Sequence, residues 1–396
     1  MPDPDLVERI RCWRHDAMQQ HLYDSAIFWG DKVVSMTNDP NDVFWLAQVY
    51  YLTGQYARVE KLLTRKHLLN SSVACRFLAA QCLVKLKKWQ AALEILGETN
   101  PFARDSKHAQ LTKVKNAPEG IKLEASMCYL RGQVFLEQEN MMRAKECFKE
   151  ALRTDIKCYE AYQALVINQM MKQNEVEQEF LSTLDFTQLR EEDAKLVKCI
   201  YGMKQRMPTD KKELIGRKHT LEREYGLINN VDVELSMADC AFSQGRFKDC
   251  LGITSGLLEM DQYHPAVLTT HVACLYELHE EHKLYQLGKS MVELFPEQTV
   301  TWFCVGCYYF CVKRIADARR FFNKACKMDT NYGPARIGYA HTFSEEGEYD
   351  QAIQIYADTD RLFPGSHLPT LFIGMQLIQQ KNLGIAQEYL LNAAQL

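Results

Sequence analysis

Three cysteines in the stretch CVGCYYFC, Cys304, Cys307 and Cys311, have a spacing that could do chemistry. Intervals of three and four residues put all three thiols along one helix face, where they could converge on an ion. Zinc would need a fourth ligand from elsewhere, and none is indicated. Cysteine is also a common small buried residue in helices, so these thiols read as packing. HEEH, His279 to His282, lacks the four-residue interval of a helical zinc-hydrolase pair and reads as two exposed histidines near a helix turn. LGKS, Leu287 to Ser290, resembles the end of a phosphate-binding loop. That loop needs glycine at 283, where Lys283 stands within a helical pattern. No Gly-x-Ser-x-Gly elbow, glycine-rich nucleotide loop or kinase or protease set is present. The residues therefore predict no catalytic, metal or cofactor site, and a protein that is not an enzyme.

The elements that must position these residues are helices. The chain has 396 residues, room for two or three ordinary domains or one extended array. Its net charge of −4 gives no reason to expect nucleic-acid binding, which needs a basic surface. Its apolar stretches fall short of the ~20 residues that span a bilayer, so no membrane is expected. The opening MPDPDLVERIRCWRHD is charged throughout and has no apolar secretory core. Fourteen cysteines are scattered through apolar helical patterns and read as reduced thiols of an intracellular protein. Glycine and proline are sparse, few residues read as strands, and the expected class is all-α.

An internal period organises these helices. In GYAHTFSEEGEYDQAIQIY, Ala340 and Ala352 sit beside Phe343 and Tyr349. Thirty-four residues earlier stand Gly306, Tyr309, Ile315 and Ala318; thirty-four later stand Gly374, Leu377, Leu383 and Ala386. Phe322, Tyr356 and Leu390 also fall at equivalent places. This is the tetratricopeptide pattern. Each repeat is two antiparallel helices, with small residues where the helices approach and large ones filling the space around that contact. Gly347 supplies the turn between them, and Pro334 and Pro364 mark repeat boundaries. One repeat cannot bury its own core, so neighbours stack into a superhelical solenoid.

The template predicts N-terminal repeats over 1–96, an inserted polar loop over 97–120, one repeat over 121–158, degenerate helical repeats over 159–230 with a turn at GMKQRMPTD, and regular repeats over 231–396. Within the last stretch, HVACLYELHEEHKLYQLGKSMV fits loosely and leaves room for a one-residue slip. The apolar second helix of the last repeat still runs at Leu396 with no polar cap, which predicts that the protein continues.

What remains for function is surface. The first helix of each repeat lines the concave face of such an array, which predicts groove-facing Arg11, His15, Met18, Phe44, Gln48, Tyr51, Phe77, Gln81, Tyr129 and Gln133. Later in the chain the same reasoning predicts Phe303, Cys307, Phe310, Ile337, His341, Leu371, Met375 and Ile378. Aromatic residues and methionine suit an adaptable interface for a helix or extended segment. The competing assignment sends some of these side chains into the core between repeats.

Several blocks resemble one family. SAIFWGDKV, WLAQVYYLTGQYARVEKLL, CRFLAAQCLVKL, LEILGETNPF, GIKLEASMCYLRGQVF, TWFCVGCYYF, NYGPARIGYAHTF and GSHLPTLFIGMQ are similar to the cell division cycle protein 16 family, subunits of the anaphase-promoting complex or cyclosome, of the fission-yeast type. The resemblance implies a non-catalytic scaffold of an E3 ubiquitin ligase that drives mitotic exit, in the nucleus and cytoplasm. It implies a homodimer clasped through N-terminal repeats, contacts with other repeat subunits, and a small accessory subunit bound mostly by repeats beyond this chain. Combined with the groove reading, it points to Trp13, Phe44, Trp45, Tyr51 and Phe77 as dimer contacts. The alternative is a monomeric groove-binding adaptor of the co-chaperone kind, which would call for a clamp of Lys, Arg and Asn that is not seen.

Overall fold

The computed structural model describes residues 4–69, 72–97, 120–167, 169–171, 184–204 and 211–395. Among the described residues there is no strand, and the chain divides into two compact units, Met1–Tyr162 and Gln163–Leu396.

The N-terminal unit is built from helix pairs: α1 (Pro4–Gln19) with α2 (Tyr23–Thr37), α3 (Pro40–Leu52) with α4 (Tyr56–Arg65), α5 (Val73–Lys85) with α6 (Trp89–Leu96), and α7 (Leu123–Glu137) with α8 (Met141–Thr154), followed by the short α9 (Tyr159–Tyr162). Side chains open several of these helices. The Asp39 carboxylate accepts from the Asn41 amide ahead of α3, with Pro40 in the first turn, and Ser72 accepts from the Cys75 amide ahead of α5. The C-terminal unit holds a π-helical turn (Gln163–Ile167), a 3-10 turn (Phe186–Gln188), α10 (Glu191–Met203) and α11 (Lys211–Glu224). Five regular pairs follow: α12 (Val231–Ser243) with α13 (Phe247–Met260), α14 (Pro265–Glu277) with α15 (Glu281–Leu294), α16 (Thr299–Cys311) with α17 (Ile315–Met328), α18 (Gly333–Glu345) with α19 (Tyr349–Leu362), and α20 (His367–Gln379) with α21 (Leu383–Gln395).

The first helices of these five pairs begin at Val231, Pro265, Thr299, Gly333 and His367, a constant interval of 34 residues. The stretch that fitted loosely, α14–α15, is therefore in register and contains no slip. In the N-terminal unit the interval is 33, with second helices starting at Tyr23, Tyr56 and Trp89.

The small-to-large contact is where the pattern places it. A Cβ on Gly306 would lie 2.6 Å from the Phe322 ring, one on Gly132 2.5 Å from Phe148, and one on Gly374 2.8 Å from Leu390. Ala340 and Tyr356 make the corresponding fully buried pair. Two repeats reverse the sizes. In α14–α15 the buried Val272 takes the small position and Gly288 the large one, which is why the sequence fitted loosely. In α1–α2 the buried Arg14 takes the small position, and the Arg14 side chain lies over Gly30.

The turn inside each pair needs one residue with left-handed backbone. Glycine supplies it at Gly54, Gly245 and Gly347 (φ 74, 70 and 79°). His21, Lys87, Glu139, His279, Lys313 and Lys381 occupy the same place with φ between 55 and 61°. For these the steric cost of a Cβ is on the order of 1 kcal/mol each.

The expected 97–120 loop lies outside the described residues except for Gly97 and Gly120, as does most of the expected turn at GMKQRMPTD. The backbone re-entering at Gly120 is held: its carbonyl accepts from the Lys157 ammonium at 2.6 Å, and the Lys122 amide donates to Asp155 at 2.8 Å. Within the 159–230 stretch, α10 and α11 form a hairpin whose core includes Met203, Leu214 and Leu221.

Candidate functional site

In the N-terminal unit, α1, α2 and α3 bring a set of aromatic side chains to the surface. Trp13 is 44% exposed and meets Trp29 edge-on at 5.0 Å. Phe28 is 53% exposed, meets Trp29 at 4.9 Å, and carries the Lys32 ammonium over its ring. His15 sits edge-on to Trp45 at 6.2 Å, and Trp45 to Phe44 at 6.2 Å, so one aromatic row joins α1 to α3. Phe28 and Trp29 were missed by a reading confined to first helices, although two adjacent aromatic residues in SAIFWGDKV were a usable signal.

The other predicted residues of this unit divide. Tyr51 packs edge-on against Tyr56 at 5.5 Å, and burial raises its hydroxyl pKa. Phe77 is half-buried against Ala80, Leu96 and Leu130, and Met18 against Ala17 and Ala26. Gln81 is half-buried, and Gln48 likewise. Tyr129 lies against Phe148, and its hydroxyl accepts from the Gln133 amide at 2.7 Å.

Arg11 is not a free groove contact. Its guanidinium bonds Asp42 at 2.6 Å, Glu8 at 2.6 Å and Asp39 at 3.2 Å. The buried Arg14 donates to the other oxygen of Asp42 at 2.9 Å, and the Thr37 hydroxyl donates at 2.9 Å. Burial pushes the Asp42 carboxyl up, but the hydrogen bonds from Arg11, Arg14 and Thr37 outweigh it and leave the pKa below the ordinary value. Asp42 is thus a buried, charged keystone between α1 and α3.

In the C-terminal unit the groove assignment is corrected for Phe303, Cys307 and Phe310, which are only 5 to 6% exposed. Neighbouring aromatic rings cover them: Tyr332 meets Phe303 at 5.6 Å, and Tyr276 meets Phe310 at 5.9 Å. Close stacking lets successive first helices seal one another there, so these side chains belong to the core. His341 is held within the same packing. Its Nδ1 lies 2.6 Å from the Tyr356 hydroxyl, Phe372 meets its ring at 4.5 Å, and burial lowers its pKa to about 4. Ile337 and Leu371 are half-buried, whereas Met375 and Ile378 are 47% and 43% exposed. A shallow apolar pocket beside them is lined by Ile378, Leu383, Ala386, Gln387, Leu390 and Leu391.

Burial raises the pKa of Cys304 to about 12, and the Cys304 thiol faces the Leu284 carbonyl. Such thiols stay protonated and are poor nucleophiles and ligands. Among the described residues no three His, Cys, Asp or Glu side chains are grouped to hold a metal ion, and no helix is long and apolar enough to cross a membrane.

The matching sequence families are "Anaphase-promoting complex, cyclosome, subunit 3" over residues 19–99 and "Tetratricopeptide repeat" over residues 125–155. Anaphase-promoting complex subunit cut9 of Schizosaccharomyces pombe is 49% identical over 381 residues, 96% of this chain and 56% of that protein. Anaphase-promoting complex subunit 6 of Arabidopsis thaliana is 34% identical over 404 residues, 98% of this chain and 73% of that protein. Among solved structures, the crystal structure of an APC/C hetero-tetramer, Cut9–Hcn1, superposes with a TM-score of 0.85 at 47% identity, covering 98% of this chain and 72% of that one. The chain spans about half the length of the fission-yeast relative. The long match to the plant subunit and the superposition agree with a solenoid of tetratricopeptide repeats, and the chain belongs to the anaphase-promoting complex subunit 6, or cell division cycle protein 16, family.

Proposed function

We propose that this chain is a non-catalytic scaffold of the anaphase-promoting complex, an E3 ubiquitin ligase, and that it supports ubiquitin-dependent degradation of mitotic regulators by holding other subunits at fixed separations. The observation that carries this reading is its likeness, across nearly all of its length, to the chain of the Cut9–Hcn1 hetero-tetramer. The name of that assembly supports self-association together with a small accessory subunit. Residues 1–96 are the proposed dimerisation region, and the exposed Trp13 and Phe28, which flank the half-buried Trp29, support it, because large aromatic side chains left in water favour a partner surface. The partners on this reading are a second copy, other repeat subunits of the complex and a small accessory subunit. The location is nuclear and cytoplasmic.

Light scattering on a sizing column over a wide concentration range tests the self-association. A stable dimer that Phe28→Glu together with Trp13→Glu converts to a folded monomer is the expected result. A monomer at every concentration overturns the dimer and leaves the adaptor reading.

A further inference from the structure

A second surface, on the C-terminal unit, carries rings and cations that the fold does not require. Five rings run across α15, α16 and α17 in contact with one another. Tyr285 meets Tyr308 at 5.4 Å, Tyr308 meets Tyr309 at 5.3 Å, Tyr309 stacks on Phe321 at 5.2 Å, and Phe321 stacks on Trp302 at 5.8 Å. Tyr285 is 53% exposed, and the other four rings are half-buried. Cations lie over the ladder: Lys324 is 3.1 Å from the Trp302 ring centre, Arg314 is 5.0 Å from Tyr309, and Arg320 is 5.9 Å from Phe321.

Arg314 is neutralised by Asp317 at 2.5 Å. Arg320, Lys324 and Lys327 are exposed, and among the described residues no carboxylate pairs with any of them. Intervals of four and three residues align these three on one face of α17. The repeat itself demands neither feature. At the 34-residue equivalents of Arg320, Lys324 and Lys327 stand Gln286, Ser290 and Glu293 in α15, and Gln354, Asp358 and Arg361 in α19. At the equivalents of Trp302 stand Leu268, Arg336 and Thr370. Nor is the row a by-product of a basic protein, since the net charge is −4.

We propose that this face docks an extended acidic segment of a partner protein that also carries aromatic side chains. The three cations repel one another when unpaired, and a row of carboxylates relieves that repulsion. Each ammonium or guanidinium already held over a ring has lost part of its freedom before a partner arrives. The half-buried rings offer faces and edges against which a partner ring stacks. Nucleic acid is the other polymer that combines negative charge with rings. The acidic net charge of the chain disfavours it, because phosphate binding relies on broad basic surface.

The test uses the full chain and a fluorescein-labelled peptide of alternating glutamate and phenylalanine, followed by anisotropy at low salt. The expected result is saturable binding that weakens at least ~10-fold in the double variant Arg320→Glu, Lys324→Glu, and that also weakens in Trp302→Leu. Both charge reversals are on exposed side chains, and circular dichroism checks that the fold is kept. Wild-type protein that does not bind the peptide overturns the proposal. So does binding that the double variant leaves unchanged, or single-stranded oligothymidylate that binds equally well and competes.

Discussion

The two compact units share one repeat but hold it together by different means. The first three pairs of the N-terminal unit keep an interval of 33 residues between second helices, and the first repeat places Arg14, bound to Asp42, where the repeat expects a small residue. The C-terminal array keeps 34, and its interior polar groups are neutral: His341 on Tyr356, and His271 on the Thr254 hydroxyl at 3.0 Å. A helix pair can therefore be locked by a buried ion pair or by aromatic packing around a neutral imidazole. The two solutions should fail under different conditions, because one depends on keeping charge and the other on excluding it.

The largest expected effect breaks the N-terminal solution. Asp42→Asn removes the charge that two guanidinium groups share and leaves Arg14 buried without a counter-ion, at a cost of about 3–5 kcal/mol. Hydrogen exchange with mass spectrometry should show protection lost in α1 to α3 and retained in α16 to α21. Equal loss in both units would contradict the separation. The C-terminal counterpart is Gly306→Val, which forces side-chain atoms into the Phe322 ring and should cost about 2–3 kcal/mol, with protection lost in α16 and α17.

Acid should separate the two units without mutation. Burial lowers the pKa of His341 and His271 to about 4, so the unfolded chain takes up protons at these sites that the folded chain refuses. Their contribution is complete above the ordinary histidine value of ~6.5 and is lost as pH falls toward ~4. At pH ~5 the expected loss is about 1–2 kcal/mol for each. Asp42 has a lowered pKa, so its contribution persists through that range and goes only below the ordinary carboxylate value of ~3.9. Urea unfolding read by hydrogen exchange at pH 7 and pH 5 should weaken the C-terminal array first, and His341→Phe should flatten part of that dependence. A steeper loss in the N-terminal unit over the same interval would contradict the assignment.

The smallest effect sharpens the comparison at the turns. Lys313 holds φ 60° at the place where Gly347 holds 79°. Lys313→Gly should stabilise the array by about 0.5 kcal/mol, the relief of a left-handed Cβ less the added freedom of the unfolded chain. Thermal unfolding should record a small upward shift, and a decrease would show that the Lys313 contacts outweigh its strain.

The 34-residue interval, the positions of Gly306, Ala340 and Gly374, and their large partners were legible because they depend on spacing within a helix pair. So was the turn at Gly347. The α14–α15 repeat was legible only loosely, because Val272 and Gly288 exchange the usual sizes while the helix starts stay in register. The Arg11–Arg14–Asp42 network was not legible. Asp42 stands about thirty residues from the two arginines, and each of the three alone looks like an ordinary charged residue in an amphipathic helix.

By itself the sequence determined the class of fold, the repeat and the two-helix pairing, since each follows from the local period and from residue types repeated along the chain; the family was legible only through the resemblance of particular blocks. Only the tertiary structure decided which side of the first helices is sealed. Phe303 and Ile337 occupy the same position in consecutive repeats, yet Tyr332 covers the first, whereas Ser366 stands at the equivalent place for the second, which is only half-buried. Position within a repeat fixes the direction in which a side chain leaves its helix, whereas its exposure depends on the size of the residues that neighbouring repeats place opposite it.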